Sequence, residues 1–244
     1  AIVLSSGFAE IGGEGVAAQA RLAAIAARGN LTLLGPNCLG AMNPKEALYA
    51  TFSPAPLAGL SMPGAVAIAS QSGAFGAYAY SLARAAGVGL SQWITTGNEA
   101  STTVADVIAG LVDDSDTKVI LAYVEGARDG QALAKALRQA RDAGKPVIIT
   151  KVGRTPAGAK AAMSHTASLS GEDAVYQAVF DETGTIRANT VEQMFRLGHA
   201  FSIGKVPQGR RIAILTVSGG VGALMADSAS DAQLEMPTLP EHIG

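Results

Sequence analysis

Three short segments carry groups that could do chemistry. In Ala69-Ser70-Gln71-Ser72-Gly73-Ala74 an apolar run gives way to small residues that open a helical pattern. Small residues at such a turn leave backbone N–H groups approachable, and those groups together with the helix dipole bind anions, phosphate above all. A plain βα turn with Ser72 as N-cap would look the same. In Val124-Glu125-Gly126 a carboxylate ends a second apolar run, the position that faces the ligand crevice of an open α/β sheet. A solvated loop acid is the simpler alternative. The third segment runs from Lys151-Val152-Gly153-Arg154-Thr155 through Ser164-His165-Thr166 to Gly171. It is long for a βα connection, and long loops in compact domains are often functional. His165 is either a working imidazole or a surface histidine in a polar loop.

The elements between these segments decide whether they can meet. Strand patterns fall at 65–69, 89–94, 118–124, 146–151 and 184–187. Helical patterns fall at 73–86, 102–112, 130–143, 171–180 and 190–203. Such alternation implies parallel strands with right-handed crossovers, and five strands covered on both faces make a flavodoxin-like α/β domain. All three segments follow parallel strands, so all three lie at one edge of the sheet. A glutamate there can hold one ring nitrogen of a histidine, fixing its tautomer and raising its nucleophilicity. A helix N-terminus can cradle a phosphoryl group on the other nitrogen. The same residues allow a rival, because the order Ser72, Glu125, His165 is that of the α/β-hydrolase triad. The rival is weakened by Ser70-Gln71-Ser72-Gly73, which lacks the leading glycine of a nucleophile elbow.

The flanks carry partial patterns. Residues 2–5, 13–28 and 31–34 read as strand, helix and strand of another parallel-sheet domain. Residues 44–63, with four prolines, read as a linker or an ordered crossover loop. A junction at 204–210 leads to a strand at Arg211–Val217 and the glycine-rich turn Ser218-Gly219-Gly220-Val221-Gly222, whose glycines serve phosphate or tight packing equally well. The chain enters a strand at once without an initiator Met and stops after an incomplete βα unit, so it is expected to be a fragment.

The 244 residues are 48% hydrophobic and 16% charged, with 29 glycines and a net charge of -2. That supports a large buried core and excludes a basic nucleic-acid surface. No apolar run reaches the length of a membrane span. Cys38 is the only cysteine, which excludes an intrachain disulfide and fits a reducing cytoplasm. No cluster has metal-ligand spacing. His199 is expected to pack within its helix. Lys151 and Arg154 are expected either to screen a phosphate or to be solvated.

The chain resembles the NDP-forming acyl-CoA synthetases, relatives of the succinyl-CoA synthetase alpha subunit. The blocks that carry the resemblance are Ser6-Gly7-Phe8-Ala9-Glu10, Gly35-Pro36-Asn37-Cys38-Leu39-Gly40, Ser70-Gln71-Ser72-Gly73-Ala74, Gly97-Asn98-Glu99-Ala100, Tyr123-Val124-Glu125-Gly126, Lys151-Val152-Gly153-Arg154-Thr155 and Ser164-His165-Thr166. The resemblance implies the end of a Rossmann-type CoA-binding domain over 1–45 and a linker over 46–60. It further implies a succinyl-CoA-synthetase-like flavodoxin domain over 61–204 and the start of a second ligase domain over 210–244. His165 matches the histidine that is transiently phosphorylated, and Glu125 the carboxylate that orients it. Ser72, Gly73 and Ala74 match the helix start that holds the phosphate, and Ser5, Ser6 and Asn37 fall on the CoA side. The implied reaction interconverts acyl-CoA, ADP and phosphate with acid, CoA and ATP through an acyl phosphate and a phosphohistidine. It needs CoA, a small carboxylic acid, ATP or ADP with Mg2+, and an ATP-grasp domain or subunit, in a homo- or hetero-oligomer. The glycine-rich CoA loop and the ATP-grasp module are not in this sequence. The run Ala74-Phe75-Gly76-Ala77-Tyr78 is less polar than in succinyl-CoA synthetases, which favours an acid smaller or less polar than succinate. A CoA-sensing regulatory module is the competing expectation, and the retained His165 weighs against it.

Overall fold

A computed structural model describes residues 1–160, 171–204 and 207–238. The chain divides into two compact units, Ala1–Ile203 and Gly204–Gly244.

The first unit is built on one seven-stranded sheet in the order β2-β1-β4-β3-β5-β6-β7. Its strands are β1 (Gly40–Asn43), β2 (Leu48–Thr51), β3 (Pro63–Ser70), β4 (Leu90–Thr95), β5 (Val119–Val124), β6 (Val147–Lys151) and β7 (Ile186–Arg187). From β4 to β7 all neighbours are parallel. Helices cover both faces. Ala67, Ala69, Ile120, Ala122, Val124 and Ile149 pack beneath α3 (Val104–Asp113), α4 (Gly130–Asp142) and α5 (Asp173–Thr183). Val66, Ile68, Leu121 and Ile148, on the other face, pack beneath α2 (Gly73–Ala85) and α6 (Val191–Ile203). Strands covered on both sides need apolar residues at successive positions, and for this reason β3, β5 and β6 read as nearly continuous apolar runs. The flavodoxin-like α/β domain expected from the alternating pattern is present.

Small residues let α2 approach the sheet. A Cβ on Gly76 would lie 2.6 Å from Thr95 Cγ2 and 3.1 Å from Trp93. Trp93 is fully buried and donates its indole N–H to the Gly76 carbonyl at 2.7 Å. Helix α3 starts with a capping box: the Thr103 hydroxyl accepts from the Asp106 amide, and the Asp106 carboxylate accepts from the Thr103 amide. Replacing Thr103 with alanine should lower stability by about 1 kcal/mol, read as a shift of the urea midpoint at constant slope.

The flanks differ from expectation. Residues 46–60, expected as linker, contain β2, which pairs antiparallel with β1; β1 in turn pairs antiparallel with β4. Four-residue strands around a turn with Pro44 carry too little periodicity to be read from sequence. Gly40 has φ +102°, and a Cβ there would sit 2.2 Å from the Ala50 carbonyl oxygen, so the hairpin closes only on glycine. Before it, α1 (Glu14–Arg28) is followed by a parallel bridge from Ile2 to Leu34, the short form of the strand expected at 31–34.

In the second unit, α7 (Gly219–Asp231) is capped by Ser218, whose hydroxyl accepts from the Val221 amide. Arg211–Val217, expected as a strand, makes one parallel bridge, Arg211 to Glu235. Leu215 and Val217 are exposed. A strand pattern becomes a strand only when a neighbour supplies the ladder.

Candidate functional site

The parallel strands end level with one another. Ser70 is in register with Thr95 on one side and Tyr123 on the other, and Val124 with Lys151. The turns that leave β3, β4 and β5 therefore open at one edge, where they enclose a cavity of about 300 Å³. Ser72, Gly73 and Ala74 form one wall, Glu125 and Gly126 another, and Gly97, Asn98 and Glu99 a third. Ser6 and Asn37 line it from the first forty residues, with apolar contributions from Leu4, Leu39 and Phe52.

Ser72 ends the approach to α2. Its hydroxyl accepts from the Phe75 amide at 3.2 Å, while its φ of -92° and ψ of 124° are ordinary extended backbone. A nucleophile elbow would strain this residue, and here its side chain serves as a cap. The first amides of a helix have no intrahelical acceptor, and those of Gly73 and Ala74 belong to residues that line the cavity. Phe75 stacks on Tyr123 with centroids 4.1 Å apart, which ties the helix start to the end of β5. Burial, with the nearby Glu125 charge, pushes the Tyr123 phenol up to about 12.

Glu125 is 9% exposed, and both sides of its peptide are held. Its amide donates to Gln71 Oε1 at 2.6 Å, as the Gly126 amide does at 3.1 Å, and Gln71 Nε2 returns a bond to the Gly126 carbonyl at 2.7 Å. The Glu125 carbonyl accepts from Lys151 Nζ at 2.9 Å.

Asn37 has φ +56°, a conformation that asparagine tolerates better than most residues. Its amide donates to the Ser5 carbonyl at 2.9 Å and its side chain to Asn98 Oδ1 at 3.1 Å. Ser5 supports Asn37 through that carbonyl and is not part of the cavity wall. Asn98 also donates to Glu10 and Gln19, and its carbonyl accepts from Arg128 at 2.9 Å. The structure thus brings Ser6, Asn37, Ser72, Gly73, Ala74 and Glu125 to one cavity. His165 lies outside the described residues, in the connection between β6 and α5.

Several residues here carried no assigned role in the sequence. Glu99 is 4% exposed with φ +57°, and its Oε1 accepts from Thr96 Oγ1 at 2.8 Å and the Val104 amide at 2.7 Å. Burial raises its pKa, against the pull of bonds from Thr96, Val104 and Gln71 and of the Arg128 charge. Its one sequence signal was the block Gly97-Asn98-Glu99-Ala100, since nothing in the spacing shows that a loop carboxylate turns inward. Lys151, expected to screen a phosphate or to be solvated, is 4% exposed and donates to the backbone carbonyls of Glu125 and Val152. Arg154 bonds Asn189. His199, expected to pack, is exposed on α6, because the buried stripe runs through Met194, Phe195 and Gly198. Cys38 is buried, and burial raises its thiol pKa.

Comparison with known proteins agrees with this fold. The family model described as succinyl-CoA ligase like flavodoxin domain matches residues 63–201. The chain is 39% identical to the ADP-forming acetate–CoA ligase of Methanocaldococcus jannaschii, over 97% of this chain and 32% of that protein. It is 37% identical to the alpha subunit of ADP-forming acetate–CoA ligase I of Pyrococcus furiosus, over 96% of this chain and 50% of that subunit. Among solved structures, the dinucleotide-forming acetyl-coenzyme A synthetase 1 of Ca. Korarchaeum cryptofilum, in complex with phosphate and ADP, superposes with a TM-score of 0.90 at 33% identity. That match covers 98% of this chain and 51% of the solved chain. The chain therefore spans between a third and a half of the relatives it matches. With the match covering more than half of its residues, the chain belongs to the succinyl-CoA ligase like flavodoxin family.

Proposed function

We propose that this chain is the CoA-side and phosphohistidine-bearing part of an ADP-forming acyl-CoA synthetase. The observation that carries the reading is the convergence of the α2 start and Glu125 on a cavity that Ser6 and Asn37 also line. In the reaction, phosphate attacks the acyl-CoA carbonyl, releasing CoA and leaving an acyl phosphate. The phosphoryl group then passes to His165, freeing the acid, and from His165 to ADP, giving ATP. Each step is a phosphoryl or acyl transfer in which positioning and charge stabilisation dominate. The Gly73 and Ala74 amides and the α2 dipole would carry phosphate charge. Glu125 would hold the imidazole of His165 and favour its cationic form as it loses or gains the phosphoryl group.

Ser6 and Asn37, which line the same cavity, would receive the thiol end of CoA. ADP and ATP bind on an ATP-grasp module, a further part of the same chain or a separate subunit. Mg2+ would bind with the nucleotide on that module. Leu4, Leu39, Phe52 and Ala74 give the cavity an apolar side suited to a monocarboxylic acid less polar than succinate. No helix among the described residues is long and apolar enough to cross a membrane, and the buried free thiol of Cys38 accords with a reducing cytoplasm.

The test uses the full-length protein with its nucleotide-binding module. Incubation with γ-labelled ATP and Mg2+ should give a protein-bound label that is lost in acid and stable in alkali. Peptide mapping should place it on the segment containing His165. A label on a hydroxyl or a carboxylate, or CoA binding with no label, would sink the reading.

A further inference from the structure

Glu125 is held through its backbone. Four bonds from two side chains converge on the turn that follows β5. Gln71 receives the amides of Glu125 and Gly126 on its oxygen and donates its nitrogen to the Gly126 carbonyl. Lys151 donates to the Glu125 carbonyl at the other end of the residue, and a second bond anchors it to the Val152 carbonyl. A third side chain acts one residue later, where Tyr176 Oη accepts from the Ala127 amide at 2.8 Å. The three groups come from the ends of β3 and β6 and from α5, so the turn is gripped by three separate elements.

Each grip is itself held. A side-chain amide can flip, but here a flip would turn the Gln71 nitrogen onto the Glu125 and Gly126 amides and its oxygen onto the Gly126 carbonyl, losing all three bonds. The Lys151 ammonium sits over the Tyr176 ring, 4.6 Å from its centroid, so a single aromatic ring steadies one grip and supplies another. Burying an ammonium away from any bound phosphate is costly, and here its donors go to backbone carbonyls.

We infer that Gln71 and Lys151 are positioning residues for the phosphoryl transfer, fixing the backbone of Glu125 from its two sides so that its carboxylate meets the phosphorylated histidine in one orientation. The inference rests on the synthetase reading above. With the backbone fixed, the direction of the Glu125 Cβ is fixed. Misplacement of a catalytic group by about 1 Å can cost roughly 100-fold in rate.

The arrangement has a pH signature. Burial pushes the Lys151 ammonium down to about 8. The groups facing it are Asp173 and Tyr176 of α5, Arg187 of β7 and Glu125 itself. Asp173 and Glu125 favour the charge, whereas Arg187, paired with Asp173 at 2.7 Å, opposes it. The ammonium is present below about pH 8 and is lost as pH rises through that value. Its charge-assisted bond to the Glu125 carbonyl and its cation–π contact go with it.

The test is made in the full-length synthetase with Lys151→Met and Gln71→Met. Both should lower kcat for phosphoryl transfer by about 10- to 100-fold while KM for CoA stays within about twofold. The wild-type rate should fall above pH 8, and Lys151→Met should lack that alkaline limb. A core-filling role would lower the melting temperature without touching the pH profile. Lys151→Met that folds and keeps the limb, or keeps kcat within twofold, overturns the inference. If Lys151→Met does not fold, Gln71→Met with wild-type kcat overturns it instead. Glu125→Gln serves as the control: if it retains full phosphoryl transfer, Glu125 is a structural acid and the positioning role falls with it, and loss in Glu125→Gln alone likewise removes the positioning role, whereas a wild-type protein without the acid-labile label is what sinks the synthetase reading.

Discussion

Replacing His165 with alanine should abolish the acid-labile phosphoryl label and stop synthesis of ATP from acyl-CoA, while CoA binding persists. Alanine has no nucleophile, and neither Glu125 nor Ser72 can replace it. A carboxylate would form an acyl phosphate with different lability, and the Ser72 hydroxyl is engaged as the cap of α2. The loss should be complete within the assay, unlike the partial losses expected from residues that only orient groups. His165→Asn should behave alike, since an amide of similar reach is not a phosphoryl acceptor. The measurement is retention of label after gel filtration at alkaline pH, beside CoA binding by calorimetry. Label that survives in His165→Ala removes the phosphohistidine from the mechanism. A fluorophosphonate adduct at Ser72 would revive the hydrolase order of Ser72, Glu125 and His165, which the relaxed backbone of Ser72 disfavours.

Glu125→Gln should cut the rate of phosphoryl transfer by roughly 10²- to 10⁴-fold, the range for losing the charged partner of a working histidine. Glutamine preserves size and leaves the bonds of the Glu125 backbone to Gln71 and Lys151 in place. The fold should therefore survive, and a thermal melt should show a single transition near that of the wild type. What is lost is the negative charge that favours the cationic imidazole and selects its tautomer. KM for CoA should change little, because Glu125→Gln leaves Ser6 and Asn37 and the bonds of Asn37 to Ser5 and Asn98 intact. Rapid-quench measurement of label on His165 gives the rate directly. A rate within twofold of wild type would leave Glu125 a structural acid.

The parts that were legible and those that were not follow a physical division. β3, β5 and β6 are buried on both faces, so each shows as a nearly continuous apolar run, and the helices between them show the complementary periodicity. Ser72 and Glu125 were legible because their places depend only on strand direction. The hairpin of β1 and β2 was not. Its strands are four residues long and exist because β4 offers an edge for Gly40–Met42. Lys151 was misplaced for a similar reason. A lysine beside a glycine-rich loop reads as solvated or phosphate-facing. Its burial arises from Tyr176 on α5 and from the carbonyls of the neighbouring turn.

The sequence by itself determined the layered α/β class, the strand ends that line the cavity and the family blocks, because these depend on local pattern and chain direction. Only the tertiary structure decided that the loop ahead of α1, the Asn37 turn and the strand ends close on one cavity. It also decided that Glu99 turns inward and that Gln71 and Lys151 grip Glu125 at its two ends. Those contacts join residues far apart in the chain, through hydrogen bonds whose partners are set by packing, and a pattern of residue types has no term for which amide a buried side chain will meet.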